Sequence, residues 1–232
     1  MFCKIINGDA LRYLKSLENE SIDLIVTDPP YFVTQEDWDT QWEMKEEYFY
    51  WFGKIFKEMN RVLKNNRGMY IFFSQKYMFE YANRFKPHRM LVWHHTNLAK
   101  FTNKMWQYTY DPIFYHIKGE KNELFSPRFG LKENFDVQIF PKPQKWGKYG
   151  VRYHHSQKPV KLIELLIKTN STKESIILDP FLGSGTTLIA ARNLGRSAIG
   201  VEIDREICSI AKNRVFSQRV IGEDIEYIYE VI

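Results

Sequence analysis

Cysteine is nearly absent: the chain of 232 residues has two, Cys3 and Cys208, at opposite ends and without CxxC or Cys/His spacing. A disulfide scaffold and a zinc site are excluded on that count, and a reducing, cytoplasmic compartment is expected. The histidines add no metal site, because His94-His95 and His154-His155 are adjacent pairs that point to opposite faces of an extended chain. Long apolar runs are missing as well. No stretch approaches the roughly 20 consecutive residues that span a bilayer, and Met1 to Ile6 hold no signal segment, so neither secretion nor a membrane partner is expected. There is no internal repeat and no low-complexity run.

What is present is the composition of one globular domain, 44% hydrophobic and 16% aromatic, long enough to bury a core without staples. The net charge of +5 is concentrated. Lys118 to Lys161 carry ten Lys/Arg against four Asp/Glu, a net +6, which leaves the rest of the chain close to neutral. Local positive potential of this kind attracts a polyanion.

Seven short apolar runs read as strands: Phe2–Ile6, Ile22–Thr27, Met69–Phe73, Met90–His94, Ile113–Ile117, Ile176–Leu178 and Ala198–Val201. Helical patterns lie between them. Phe52, Ile55, Phe56, Met59, Val62 and Leu63 form one core-facing stripe, and further stripes follow Pro159 and Asp204. The rhythm predicts a doubly wound, mostly parallel α/β sheet. It is interrupted from Gly119 to Tyr153, where prolines and glycines punctuate a loop-rich insert.

Two constellations carry chemistry. The first is the strand ending in Asp28-Pro29-Pro30-Tyr31. In open α/β sheets ligands bind at the carboxyl ends of strands. Two successive prolines remove two donors and fix the chain, so the carbonyls of Asp28 and Pro29 become rigid acceptors beside the π-face of Tyr31. A planar base with an exocyclic amino group matches that set. The second runs through Asp179-Pro180-Phe181-Leu182-Gly183-Ser184-Gly185-Thr186-Thr187, an order of strand, glycine turn and helix. Gly183 and Gly185 let backbone approach a ligand, and Thr186 or Thr187 can cap the helix that follows. Seventeen residues after Gly185 stands Glu202, placed to accept from ribose hydroxyls. Position 188 is Leu rather than a third glycine, and no Lys follows the glycines, so a dinucleotide and a Walker-type phosphate loop are both disfavoured. A nucleoside with its own charged tail fits better.

These two segments, together with His154-His155-Ser156-Gln157-Lys158-Pro159, resemble the DNA amino-methyltransferases that act on adenine N6 or cytosine N4. The order, catalytic motif first and cofactor motif last, is similar to their β class. The resemblance implies the S-adenosylmethionine-dependent methyltransferase fold in permuted order, with a catalytic half at residues 1–118, a target-recognition insert at 119–153 and a cofactor half at 154–232. It implies S-adenosylmethionine as donor and double-stranded DNA as partner. By the same similarity Asp9, Asp28, Lys158, Asp179, Phe181, Gly183, Ser184, Gly185, Thr186, Thr187 and Glu202 bind the cofactor, and Asp28 to Tyr31 are catalytic. Where family members usually carry His-Pro-Thr-Gln-Lys-Pro, His155 and Ser156 replace the first proline and the threonine. Asp rather than Ser at position 28 favours adenine.

An aromatic amino group is a poor nucleophile until hydrogen bonds draw its hydrogens out of the ring plane, and Asp28 with the Pro29 carbonyl suits that task. A methyl held in line at about 3–3.5 Å then transfers by positioning and electrostatics, with neither a metal nor a covalent intermediate required. Rotating the base out of a duplex costs a few kcal/mol. Lys142, Lys145, Lys148 and Arg152, interleaved with Trp146, Tyr149 and Tyr153, are expected to offset that cost through DNA contacts. Trp93 and His94 are candidates to border the target pocket. Cytosine N4, an RNA amino group, a nucleic-acid-binding protein without activity and a Rossmann-type oxidoreductase are the competing readings. The small insert leaves room for a second copy of the chain, or for a companion methyltransferase or restriction subunit.

Overall fold

Each of the seven apolar runs forms a strand, and two further strands join them. The computed structural model describes residues 1–33, 41–97, 106–126, 135–144, 157–217 and 224–232. Its strands are β1 (Phe2–Asn7), β2 (Ile22–Thr27), β3 (Leu63–Phe72), β4 (Arg89–His94), β5 (Tyr110–Lys118), β6 (Val137–Ile139), β7 (Ile176–Asp179), β8 (Ser197–Glu202) and β9 (Glu226–Val231). They form one sheet in the order β6-β4-β5-β3-β2-β7-β8-β1-β9. Pairing is parallel throughout except around β5, which runs antiparallel to β3 and β4. β6 falls inside the loop-rich insert and is three residues long, too short to carry a period of its own. It pairs with β4 and ties that part of the insert to the sheet edge.

Alternation along the strands sends side chains to two cores. Leu24 and Val26 of β2 face one core, Ile25 the other. The first is covered by α4 (Val160–Thr169), α5 (Thr186–Asn193) and α6 (Arg205–Phe216), and is built from Leu, Ile and Ala side chains such as Leu162, Leu166, Ala190 and Ala211. The second, under α1 (Ala10–Ser16), α2 (Lys45–Val62) and α3 (Met78–Phe85), is rich in rings: Tyr48, Phe49, Phe52, Phe73, Tyr81 and Phe114. The α2 stripe packs as its spacing predicts, with Phe52, Ile55, Met59 and Val62 fully buried. Each such side chain contributes roughly 1.5–3 kcal/mol relative to exposure. Leu63, read as the end of that stripe, instead opens β3.

The sheet order places the site. From β2 the chain continues to β3 on one side, whereas from β7 it continues to β8 on the other. A crevice therefore opens at the carboxyl ends of β2 and β7, the switch point at which such sheets bind ligands. At the opposite, amino ends of the two strands Asp23 of β2 ties them together. Its carboxylate accepts from the Ile176 amide at 2.9 Å and from Lys64 Nζ at 2.8 Å. Among the described residues no helix is long and apolar enough to cross a membrane.

Candidate active site

A cavity of about 510 Å³ occupies this crevice. Residues from all the motifs singled out in the sequence line it: Asp9, then Asp28 to Tyr31, Gln157 and Lys158, then Asp179, Phe181, Gly183, Ser184, Thr186, Thr187 and Glu202. Gly185 is not among the lining residues. It lies beneath them against α6, where a Cβ would stand 3.0 Å from Val215 Cγ2 and 3.3 Å from Ala211 Cβ.

The half formed by β7, β8 and α5 is organised by backbone amides. Gly183 and Gly185 take φ of +53° and +90°, which turns the chain so that Gly185 caps α5. Neither threonine is the cap. Thr187 instead directs its side chain to Asp179, whose Oδ1 also accepts from Thr27 Oγ1 at 2.7 Å and from the Phe181 amide at 3.1 Å. Burial nevertheless pushes the Asp179 carboxyl up to about 6, and the nearby Asp28 charge adds to the rise. Glu202 Oε2 accepts from the Gly183 amide and Oε1 from the Asp204 amide, both at 2.9 Å. Burial raises this carboxyl too, against the pull of those amides. Asp9 caps α1 by accepting from the Arg12 amide at 2.8 Å, and its neighbours Gly8 and Ala10 share the cavity wall.

The other half is organised by side chains. Lys158 Nζ donates to Asp28 Oδ2, and the Tyr31 hydroxyl donates to Asp28 Oδ1. Lys158 therefore contacts the acid of the Asp-Pro-Pro-Tyr loop directly, a contact its motif alone does not reveal. Its ammonium also lies 5.3 Å from the Phe72 ring centroid. The Pro30 carbonyl is taken by the Tyr48 hydroxyl at 2.9 Å, which anchors the loop to α2. Among the described residues the Pro29 carbonyl receives no hydrogen bond. Phe32, the residue after Tyr31, holds φ of +58°, a region bulky side chains avoid, while its ring stacks between Tyr48 and Tyr77 at 6.2 Å from each.

Trp93 lines the cavity, as its place at a strand end suggests; His94 does not, and its Nδ1 meets the Thr109 carbonyl instead. Lys142, expected on the DNA-facing surface, is half-buried and also lines the cavity. Lys145, Trp146, Lys148, Tyr149, Arg152 and Tyr153 lie outside the described residues. Sequence reasoning missed Trp51, Phe72, Asp111 and Ile203 in the wall. Phe72 falls in a predicted strand and so reads only as core, while Trp51 and Asp111 stand in no motif. Ile203 could have been found as an exposed apolar residue directly after Glu202.

Comparison with known proteins bears on what this cavity does. The sequence model of the DNA methylase family matches residues 22–213. The chain belongs to the DNA methylase family. It is 32% identical to the DNA adenine methyltransferase YhdJ of Escherichia coli, over 91% of this chain and 82% of that protein. It is 29% identical to the type II methyltransferase M.HpaI of Haemophilus parainfluenzae, over 93% of this chain and 74% of that protein. In fold this methylase is similar to the cytosine-N4-specific PvuII DNA methyltransferase, with a TM-score of 0.77 at 19% identity over 96% of this chain and 90% of that one. It is also similar to M1.HpyAVI solved as its S-adenosylmethionine complex, with a TM-score of 0.67 at 24% identity over 91% and 99% of the chains.

The methylase is thus a DNA amino-methyltransferase of the N6-adenine/N4-cytosine family, and the donor of that family is S-adenosylmethionine. The residues here fit such a donor. Gly183 faces open space, with nothing within 4 Å of where a Cβ would stand. Glu202 presents a carboxylate fixed by two amides, and Phe181, Ile203 and Ile207 supply apolar walls.

Proposed function

We propose that this methylase transfers a methyl group to N6 of an adenine rotated out of duplex DNA. The observation that carries the reading is Asp28, an Asp rather than a Ser at the head of the loop, with its carboxylate in the cavity wall beside Lys158 and Tyr31. The name of the Escherichia coli relative, an adenine methyltransferase, supports it.

Bound S-adenosylmethionine supplies an electrophilic sulfonium methyl. Glu202 accepts from its ribose hydroxyls, while Phe181 and Ile203 enclose its flat part and Gly183 admits it to the backbone. On the opposite side Asp28 and the Pro29 carbonyl accept the two amino hydrogens, which withdraws the nitrogen lone pair from the ring and aims it along the cavity. Lys158 holds Asp28 in place, and a carboxylate with about four acceptor sites accommodates the Lys158 and Tyr31 donors together with the amino group. The nitrogen becomes acidic on methylation, so its proton passes to Asp28 or to water. The basic insert, with Lys145, Lys148 and Arg152 among its cations, neutralises phosphates and offsets the cost of base rotation.

The test incubates the protein with isotope-labelled S-adenosylmethionine and unmethylated duplex DNA, digests to nucleosides and identifies the labelled base by mass spectrometry. N6-methyladenine is expected. Label on cytosine N4 overturns the adenine reading, and no label on DNA despite demonstrated cofactor binding overturns the substrate.

A further inference from the structure

Beyond Asp28 the cavity continues to a wall that methyl transfer itself does not use. It consists of Trp93 near the end of β4, Asp111 at the start of β5 and Lys142 just after β6, three strands that lie side by side at the sheet edge. This wall is rigid. Asn97 clamps the Lys142 backbone with two hydrogen bonds, its Oδ1 accepting from the Lys142 amide at 2.7 Å and its Nδ2 donating to the Lys142 carbonyl at 2.8 Å. The ammonium sits 5.7 Å from the Trp93 ring centroid. Trp93 is fixed in turn, donating from Nε1 to the Phe140 carbonyl at 2.7 Å and meeting Phe72 edge-on at 6.5 Å. Phe72 is the ring that Lys158 also contacts, so the wall is continuous with the catalytic acid.

Lys142 has the electrostatics of a donor without an acceptor. Burial and the Lys158 cation lower its pKa, and Asp111 opposes them. No salt bridge within 4.0 Å engages Lys142 among the described residues, so Asp111 acts on it at a distance. A half-buried ammonium that faces a cavity is costly unless something in the cavity accepts from it. A phosphate is a poor candidate, because Asp111 would repel it and the surrounding surface is aromatic. A neutral heteroaromatic ring fits both features: its face lies along the rings, and a ring nitrogen accepts from the ammonium.

Resting on the adenine reading above, we propose that Lys142, oriented by Asn97 and Asp111 against Trp93, donates to a ring nitrogen of the target base and sets base specificity. With the amino group held at Asp28, the base has acceptor nitrogens left at N1, N3 and N7. A base that turns an N–H toward Lys142 would set donor against donor and is rejected. A hydrogen bond from a charged group to a neutral acceptor carries a factor on the order of 10 to 100 in this setting.

The experiment uses the full chain and duplexes containing its methylated site, mapped with the wild-type enzyme. The target position carries adenine, 1-deazaadenine, 3-deazaadenine or 7-deazaadenine, and kcat/KM is measured for wild type, K142M and K142R, with S-adenosylmethionine binding followed by equilibrium dialysis. One analogue is expected to cost the wild type about 10- to 100-fold. K142M should show a similar loss on adenine and no further loss on that analogue, K142R should recover part of it, and cofactor affinity should stay within about twofold. The proposal is overturned if the wild type methylates all three analogues as fast as adenine, if the two losses multiply, or if K142M loses cofactor affinity instead. Failure of the adenine reading is separate: the wild type then leaves adenine in the unmodified duplex unlabelled, before any variant is compared.

Discussion

On the β7–β8 side of the cavity, Glu202 is held by the main chain, through the amides of Gly183 and Asp204, while Asp179 takes the Phe181 amide together with the hydroxyls of Thr27 and Thr187. On the β2 side, Asp28 is held by two side chains, Lys158 and Tyr31, the first of them 130 positions away. The difference separates two duties. An acid bonded to amides cannot shift unless the strand-turn-helix shifts with it, which suits a partner bound the same way in every cycle. An acid bonded to flexible donors can exchange one of them when an amino group enters, which suits a partner that arrives, reacts and leaves.

Breaking the exchangeable side at its centre has the largest expected effect. Asp28→Ala should lower methyl transfer by about 1000-fold, the scale of removing a positioned acid or transition-state partner. Cofactor affinity should stay within about threefold by equilibrium dialysis, and an equal loss of both would merge the two halves into one. Next comes Asp179, on the fixed side. Its carboxyl is raised to about 6 in the folded protein from an ordinary 3.8, so its contribution to stability is fully present below about pH 4 and lost as pH rises through about 6. Ionised at neutral pH it costs about 3 kcal/mol. Thermal unfolding of Asp179→Asn should therefore gain on the wild type between pH 4 and pH 7, and a pH-independent difference would remove burial as the cause.

Lys158→Met probes the exchange itself. It should reduce methyl transfer by roughly 10- to 100-fold, the range for losing one charge-assisted hydrogen bond to a positioned group. Unchanged turnover with weakened cofactor binding would return Lys158 to the donor half. The smallest effect sharpens the comparison within the glycine turn. Gly183→Ala meets no neighbour and pays only the left-handed backbone, about 1 kcal/mol, yet its methyl occupies space meant for ligand. Cofactor affinity should fall by about tenfold, more than the melting temperature alone would suggest. Gly185→Ala should show the reverse, because its Cβ meets Val215 and Ala211 rather than the cavity.

The two halves were also unequally legible. Asp179 to Thr187 and Glu202 stand in short order along the chain, so strand, turn and the Glu202 carboxylate at the cavity could be read locally. Asp28 was equally plain at the end of a buried strand. Trp93 is legible at a strand end, whereas Lys142 reads as outward-facing, because a basic residue among prolines and glycines reads as solvated and nothing local reveals that β6 docks beside β4. Asp111 becomes a site residue only through the order β6-β4-β5, which no local pattern encodes. The seven strands followed from apolar runs. β9 carried a faint alternation in Tyr227 and Tyr229, but its acidic neighbours masked it. The threonines lost the cap of α5 to Gly185, since a positive φ at that position outweighed the preference for a hydroxyl.

The sheet order has a consequence in time. β1 and β2 are made first, yet β8 and β7 stand between them, and those strands are made after residue 175. While the first three-quarters of the chain emerges, β2 has β3 on one side and nothing on the other. The sheet closes only when β7 and β8 enter its centre, a pairing of long sequence separation that is slow to form and exposes strand edges meanwhile. The crevice beside Asp28 comes into existence at that moment and not before, so a nascent chain that already carries Asp28 has no site until its last quarter has folded.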